Sequence, residues 1–140
     1  MAQPNEPYPY TAYDDDSVDI DVDSPFFLDH VSRYWWASSF ATGKRVLDCA
    51  TGKGYGAYIL SRRAAAVLGV DLNSTSLRIA RKKFSAANLV FQEWDVLRLP
   101  GLQGTFDLVT AFEIIEHVPP FMSVSSWRGS LRCWSRVGSL

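Results

Sequence analysis

Val46-Leu47-Asp48-Cys49-Ala50-Thr51-Gly52-Lys53-Gly54-Tyr55-Gly56 is an apolar run that ends in a carboxylate and then breaks over three alternating glycines. It reads as a strand opening into a turn shaped to approach a ligand. Glycine is needed where the backbone takes positive φ or comes against a ligand with no Cβ between them. A helix starting at the next residues offers free N–H groups and the positive end of its dipole to bound polar groups. Asp48 narrows the choice of ligand. A carboxylate at the strand end repels a pyrophosphate and holds an ammonium group, so the turn suits a ligand that carries positive charge.

Outward from this turn, strands and helices alternate. Ser24-Pro25 reads as an N-cap followed by proline at the first helical position. Phe26, Phe27, Val31, Tyr34 and Trp35 recur near helical spacing, which predicts a helix from about Pro25 to Phe40. Thr42-Gly43-Lys44 ends it, and Arg45 to Cys49 forms the first strand, with neighbours that suggest burial on both faces. Tyr55 to Arg63 is the second helix, and Ala66 to Val70 the second strand, ending at Asp71. Asn73 or Ser74 caps a third helix carrying Leu77, Ile79, Ala80 and Phe84, with Arg78, Arg81, Lys82 and Lys83 on a solvated face rather than a nucleic-acid patch. Leu89 to Glu93 is the third strand and Phe106 to Phe112 the fourth. Such alternation means βαβ units, a parallel sheet, right-handed crossovers and a ligand at the carboxyl ends of the strands. The expected class is α/β.

Each strand delivers a carboxylate to that edge: Asp48, Asp71, Asp95 and Glu113. A purely structural α/β domain has no need of four in register. Asp48 followed by Gly52, Gly54 and Gly56 resembles the first motif of the class I S-adenosylmethionine-dependent methyltransferases, with Thr51 where that motif often has cysteine and Lys53 where it often has an acid. The resemblance covers about residues 30 to 120 and implies a Rossmann-like parallel sheet with flanking helices, the N-terminal half of that fold, in strand order 3-2-1-4. It implies S-adenosyl-L-methionine as cofactor, with Asp48 near the methionine amino group and Asp71 accepting from both ribose hydroxyls. Leu72 and Trp94 or Val96 would flank the adenine ring, Asp95 would face its exocyclic amine, and Ala50, Gly52, Gly54 and Phe112 would complete the cofactor set.

A second reading stays open at the turn itself. Gly52-Lys53-Gly54-Tyr55-Gly56-Ala57 also fits the dinucleotide fingerprint G-x-G-x-x-A, with Asp71 at the distance of its ribose carboxylate, and would make the chain part of an NAD-binding oxidoreductase or a noncatalytic remnant of one of the two folds. Phe106-Asp107-Leu108-Val109-Thr110-Ala111-Phe112-Glu113-Ile114-Ile115-Glu116-His117-Val118 favours the methyltransferase. It resembles the segment that follows the cofactor motifs in small-molecule methyltransferases, where a strand ends in a short turn carrying Glu-His. Glu113 and His117 are therefore the catalytic candidates, His117 as a general base or simply as the cap of a short helix. Pro119-Pro120-Phe121 is similar to the Pro-Pro-aromatic motif of nucleic-acid amino methyltransferases but comes too late, because Phe112-Glu113-Ile114 occupies that motif's place. His30-Val31-Ser32-Arg33-Tyr34 resembles the helix that precedes the core in methyltransferases acting on sugars or other small metabolites, so the expected partner is a small-molecule acceptor.

Composition sets the outer bounds. With 140 residues, 47% hydrophobic and 21% charged, the chain is one domain of ordinary globular composition. A net charge of −1 gives no broad basic field for a nucleic acid. Short apolar stretches and a polar N-terminus lead to the expectation of a cytoplasmic protein with no membrane span. Cys49 and Cys133 make neither a disulfide framework nor a metal spacing, and methyl transfer from a sulfonium needs no metal. Residues 1–23, where Pro7-Tyr8-Pro9-Tyr10 gives way to Asp14, Asp15, Asp16, Asp19, Asp21 and Asp23, read as a disordered acidic lead-in to a core at 24–120.

Residues 121–140 are expected to be an irregular tail of a truncated methyltransferase. Arg132-Cys133-Trp134-Ser135-Arg136-Val137-Gly138 can be encoded by codons whose third-base frame reads Val-Leu-Glu-Pro-Gly-Gly, the motif a complete domain would carry, which suggests a frameshift. The fourth strand would then be an exposed edge open to oligomerisation.

Overall fold

The structure, a computed structural model, describes residues 25–96 and 106–112, with side chains from Leu28 onward. Its elements in chain order are α1 (Pro25–Ser38), β1 (Arg45–Cys49), α2 (Tyr55–Ser61), β2 (Ala66–Asp71), α3 (Ser74–Lys83), β3 (Leu89–Glu93) and β4 (Leu108–Thr110). The strands form one sheet in the order β3-β2-β1-β4, and every neighbouring pair is parallel. The expected α/β class and strand order are therefore the observed ones.

Burial follows from that order. β1 lies between β2 and β4, and after exposed Arg45 all of Val46, Leu47, Asp48 and Cys49 are buried. With side chains alternating across the sheet, Val46, Val67, Phe91 and Leu108 join one core with Val31, Tyr34 and Ala37 of α1, Ala57, Ile59 and Leu60 of α2, and Leu77 and Ala80 of α3. All three described helices thus lie on one face, as right-handed β1-α2-β2 and β2-α3-β3 crossovers require of α2 and α3. Leu47, Cys49 and Val70 line the opposite face with Leu68, Trp94, Val96, Phe106 and Val109. Leu47, Leu60 and Leu77 are fully buried, and each contributes roughly 1.5–3 kcal/mol through removal from water.

Element ends differ from expectation for local reasons. α1 stops at Ser38 rather than Phe40 because the amides of Ser39, Phe40 and Ala41 donate to carbonyls three residues back, tightening the chain out of the α-helix. α2 stops at Ser61 with Arg62 as C-cap, two residues short of the expected Arg63. β4 is Leu108–Thr110 rather than 106–112, since its pairing with β1 runs only from Val46↔Leu108 to Asp48↔Thr110. Asp107 lies just before the pairing and closes it: its carboxylate accepts from the Arg45 amide at 2.9 Å and its own amide donates to the Arg45 carbonyl at 2.8 Å. The Ser24 cap, the acidic lead-in, the 121–140 tail, Glu113 and His117 all lie outside the described residues. Among the described residues, no helix is long and apolar enough to cross a membrane.

Candidate functional site

The turn between β1 and α2 is held open by left-handed backbone at Ala50 (φ 55°), Gly52 (φ 56°) and Gly54 (φ 88°). Alanine in this region costs about 1–2 kcal/mol, and such strain persists where the surroundings enforce it. Here the enforcement is visible. The Thr51 amide donates to the Val70 carbonyl at 2.9 Å, and the Gly52 amide donates to Asp71 Oδ2 at 2.8 Å, so the end of β2 fixes the turn from the side. Asp71 also accepts the Asn73 amide on Oδ1 at 2.8 Å, which joins the two loops at the carboxyl edge through one side chain.

The three glycines have different reasons to be glycine. A Cβ on Gly52 would meet nothing within 4 Å, so this residue presents bare backbone to open space. A Cβ on Gly54 would lie 2.6 Å from the Phe91 ring and 2.7 Å from Ala80, and one on Gly56 would lie 2.1 Å from the Tyr34 ring. Gly54 and Gly56 therefore serve close packing of the turn on β3, α3 and α1. Gly54, one of the expected cofactor residues, is packed closely against Phe91 and Ala80 at its Cα.

Asp48 lies deeper than its neighbours on the turn. The sequence reading has it beside a ligand amino group, yet the side chain is fully buried. Thr110 Oγ1 donates to Asp48 Oδ1 at 2.7 Å, and Tyr34 Oη donates to the same oxygen at 3.1 Å, with its second oxygen at 3.4 Å. The Thr51 hydroxyl lies close enough to favour the carboxylate but falls short of a directed hydrogen bond. Burial raises the Asp48 carboxyl, the like charge of Asp71 adds to the rise, and these hydroxyls pull against it, leaving it pushed up to about 6. Burial also pushes the Cys49 thiol well up, with Asp48 adding to it, so Cys49 is an inert core side chain. Asp48 thus sits behind the turn, held by hydroxyls from α1 and β4.

The other predicted residues gather at the same edge. Leu72 is 61% exposed immediately beyond Asp71. Trp94 and Val96 are half-buried against the Leu47 and Val70 face, and the Trp94 amide donates to the Asp71 carbonyl at 3.0 Å, which brings half-buried Asp95 to the edge. Phe112 packs edge-on against Tyr34 at 4.9 Å between ring centroids. Tyr34 and Thr110 are the residues that sequence reasoning missed: the first was legible only as a core aromatic at helical spacing, the second only as part of a strand. Among the described residues, no group of His, Cys, Asp and Glu could hold a metal.

Comparison with known proteins bears on what this edge is for. The family described as a methyltransferase domain matches residues 46–137, past Pro119, where the sequence reading ends its resemblance. The chain is similar to ubiquinone biosynthesis O-methyltransferases of Acinetobacter baylyi, 38% identical over 59% of this chain and 36% of the relative, and of Albidiferax ferrireducens, 43% identical over 59% of this chain and 34% of the relative. It therefore spans about a third of the length of these curated relatives. Among solved structures, the PH0226 protein from Pyrococcus horikoshii OT3 is similar, with a TM-score of 0.52 and 27% identity, over 64% of this chain and 44% of that one.

Proposed function

The chain belongs to the S-adenosylmethionine-dependent methyltransferases through its methyltransferase domain, and from that membership we propose that the turn between β1 and α2 holds the cofactor for methyl transfer to an oxygen of a small molecule. The observation that carries the reading is Gly52, whose bare, left-handed backbone faces open space while Asp71 grips its amide. When bound, S-adenosylmethionine supplies a methyl group on a sulfonium, already electrophilic without a metal. The work left to this chain is holding and orienting, worth about 7–11 kcal/mol when two reactants are aligned.

Each residue has a part in that task. Asp71 uses one lone pair on each oxygen for the Gly52 and Asn73 amides, and a carboxylate keeps further acceptor sites for ribose hydroxyls. Leu72 covers a ring face, and Asp95 supplies an acceptor for an exocyclic amine. Asp48 contributes negative potential behind the turn, toward an ammonium group. Glu113 and His117 are the candidates for removing the acceptor's proton. The oxygen acceptor is suggested by the printed names of the O-methyltransferase relatives, which favour it over a sugar-specific role.

Thermal unfolding with S-adenosylhomocysteine or NAD as additive tests the reading. A ligand at a hundred times its Kd adds about 2.7 kcal/mol to stability, so S-adenosylhomocysteine is expected to raise the midpoint by roughly 10 °C and NAD to leave it unmoved. A rise with NAD alone would transfer the site to the dinucleotide reading.

A further inference from the structure

We propose that Tyr34 of α1 is a positioning residue of the cofactor site: its hydroxyl keeps Asp48 ionised, so the docking of α1 sets the charge behind the glycine turn. The inference rests on the cofactor reading and adds to it a residue from a helix outside the glycine motif.

The geometry joins three elements at one side chain. Tyr34 is 5% exposed, its hydroxyl donates to Asp48 Oδ1 at 3.1 Å, and its ring lies where a Cβ on Gly56 would be. Tyr55, the first residue of α2, stacks edge-on to the same ring at 5.7 Å, and Phe112, beyond β4, does so at 4.9 Å. A movement of α1 would therefore withdraw the hydroxyl from Asp48 and release the packing under Gly56 together.

A hydroxyl that merely filled a gap in the core would need only a neutral acceptor. Here the acceptor is ionisable and wholly buried, and the donors that reach it among the described residues are the uncharged hydroxyls of Tyr34 and Thr110. Hydrogen bonds to a charged acceptor are roughly twice as strong as neutral ones, so such donors favour the ionised form. Among the other groups facing Asp48, the Thr51 hydroxyl also favours the carboxylate, Asp71 at the end of β2 raises its carboxyl, and Cys49 of its own strand is a neutral thiol. Tyr55, stacked on the Tyr34 ring, meets His30 at 3.3 Å. With the Tyr34 hydroxyl removed, the Asp48 carboxyl should hold its proton to higher pH.

The test is to titrate the Asp48 side-chain carboxyl by carbon-13 NMR in the unliganded chain, and to measure S-adenosylhomocysteine binding by calorimetry at about pH 6.5 and 8.5. Wild type, Tyr34→Phe and a Tyr58→Phe control would be compared. Tyr34→Phe keeps the ring against Gly56 and should raise the carboxyl midpoint by about one unit. Affinity should then fall about threefold at the lower pH and hardly at the higher, because only the ionised fraction is competent. Tyr58→Phe should match wild type at both. If Tyr34→Phe fails to fold, 3-fluorotyrosine placed at position 34 strengthens the donor with little change in packing and should lower the midpoint instead. A midpoint unmoved by either replacement at position 34, or an affinity loss equal at both pH values, overturns the role of Tyr34. Absence of binding by wild type at both pH values would overturn the cofactor reading, while the NMR midpoint would still decide whether Tyr34 holds the carboxylate.

Discussion

Asp48 shows how a residue proposed for function can weaken the fold it sits in. Its carboxyl is pushed up to about 6 in the folded chain, mainly by burial. An unfolded aspartate titrates near 3.9, so between roughly pH 4 and 6 the folded state binds more protons than the unfolded one. The contribution of this group to stability is therefore fully present below about pH 4 and lost as pH rises through 6, a difference of ~3 kcal/mol at about 1.4 kcal/mol per unit. Asp48→Asn keeps an acceptor for Tyr34 and Thr110 without the charge. It should stabilise the chain against urea at pH 7 by ~1–3 kcal/mol and flatten the pH dependence between 4 and 6, while weakening cofactor binding. A variant less stable than wild type at pH 7 would show that the buried charge is not the cost assigned to it.

The glycines separate at the same scale. Gly56→Ala must displace the Tyr34 ring, and overpacking of this kind costs typically ~1–3 kcal/mol. Gly52→Ala has open space before it and pays only for its φ of 56°, about 1–2 kcal/mol. Denaturant unfolding with ligand titration should find Gly56→Ala damaging stability and Gly52→Ala damaging S-adenosylhomocysteine affinity beyond its stability cost. The sequence revealed that these positions need glycine. It did not reveal that only Gly52 faces the open side, because a G-x-G-x-G pattern is the same whether a ligand or a neighbouring ring fills the space.

Elements were legible where hydrophobic pattern and punctuation agree. β1 and β3 begin and end where the sequence reading puts them, since Gly43, Gly52 and Asn88 bracket uninterrupted runs. β4 was read too long because Phe106 and Ala111 continue the apolar run, while its extent is decided by the partner: pairing with β1 ends at Thr110. α3 has its cap where expected, with Asn73 accepting the Ser76 amide at 3.0 Å and Arg81, Lys82 and Lys83 in the last turn, where the dipole favours cations. Asn73→Ala should cost ~1 kcal/mol, and Asn73→Ser much less, when unfolding is followed by far-ultraviolet circular dichroism. Equal losses would mean that the side-chain oxygen at this position does not act as the cap. α1 was legible as a helix, but its link to the turn through Tyr34 was not: a tyrosine at helical spacing gives no sign of which buried carboxylate it will meet.

For the whole molecule, sheet order and site reduce to one arrangement. β1 and β2 end side by side, and the loops leaving their carboxyl ends are tied together through Asp71, so this edge offers bare backbone at Gly52, a carboxylate at Asp71 and exposed Leu72 within one short region. The parallel sheet with right-handed crossovers was legible from strand-helix alternation, and its order from the methyltransferase resemblance. The depth of Asp48 was not, because burial of a charge depends on donors from α1 and β4, distant in sequence. The most direct test of the central claim is amide NMR of the isotope-labelled chain during titration with S-adenosylhomocysteine. The account predicts saturable shifts concentrated at Ala50 to Gly52, Asp71, Leu72 and Trp94 to Val96, with NAD producing none. Shifts confined to other parts of the chain, or none at millimolar S-adenosylhomocysteine in a folded sample, would contradict it.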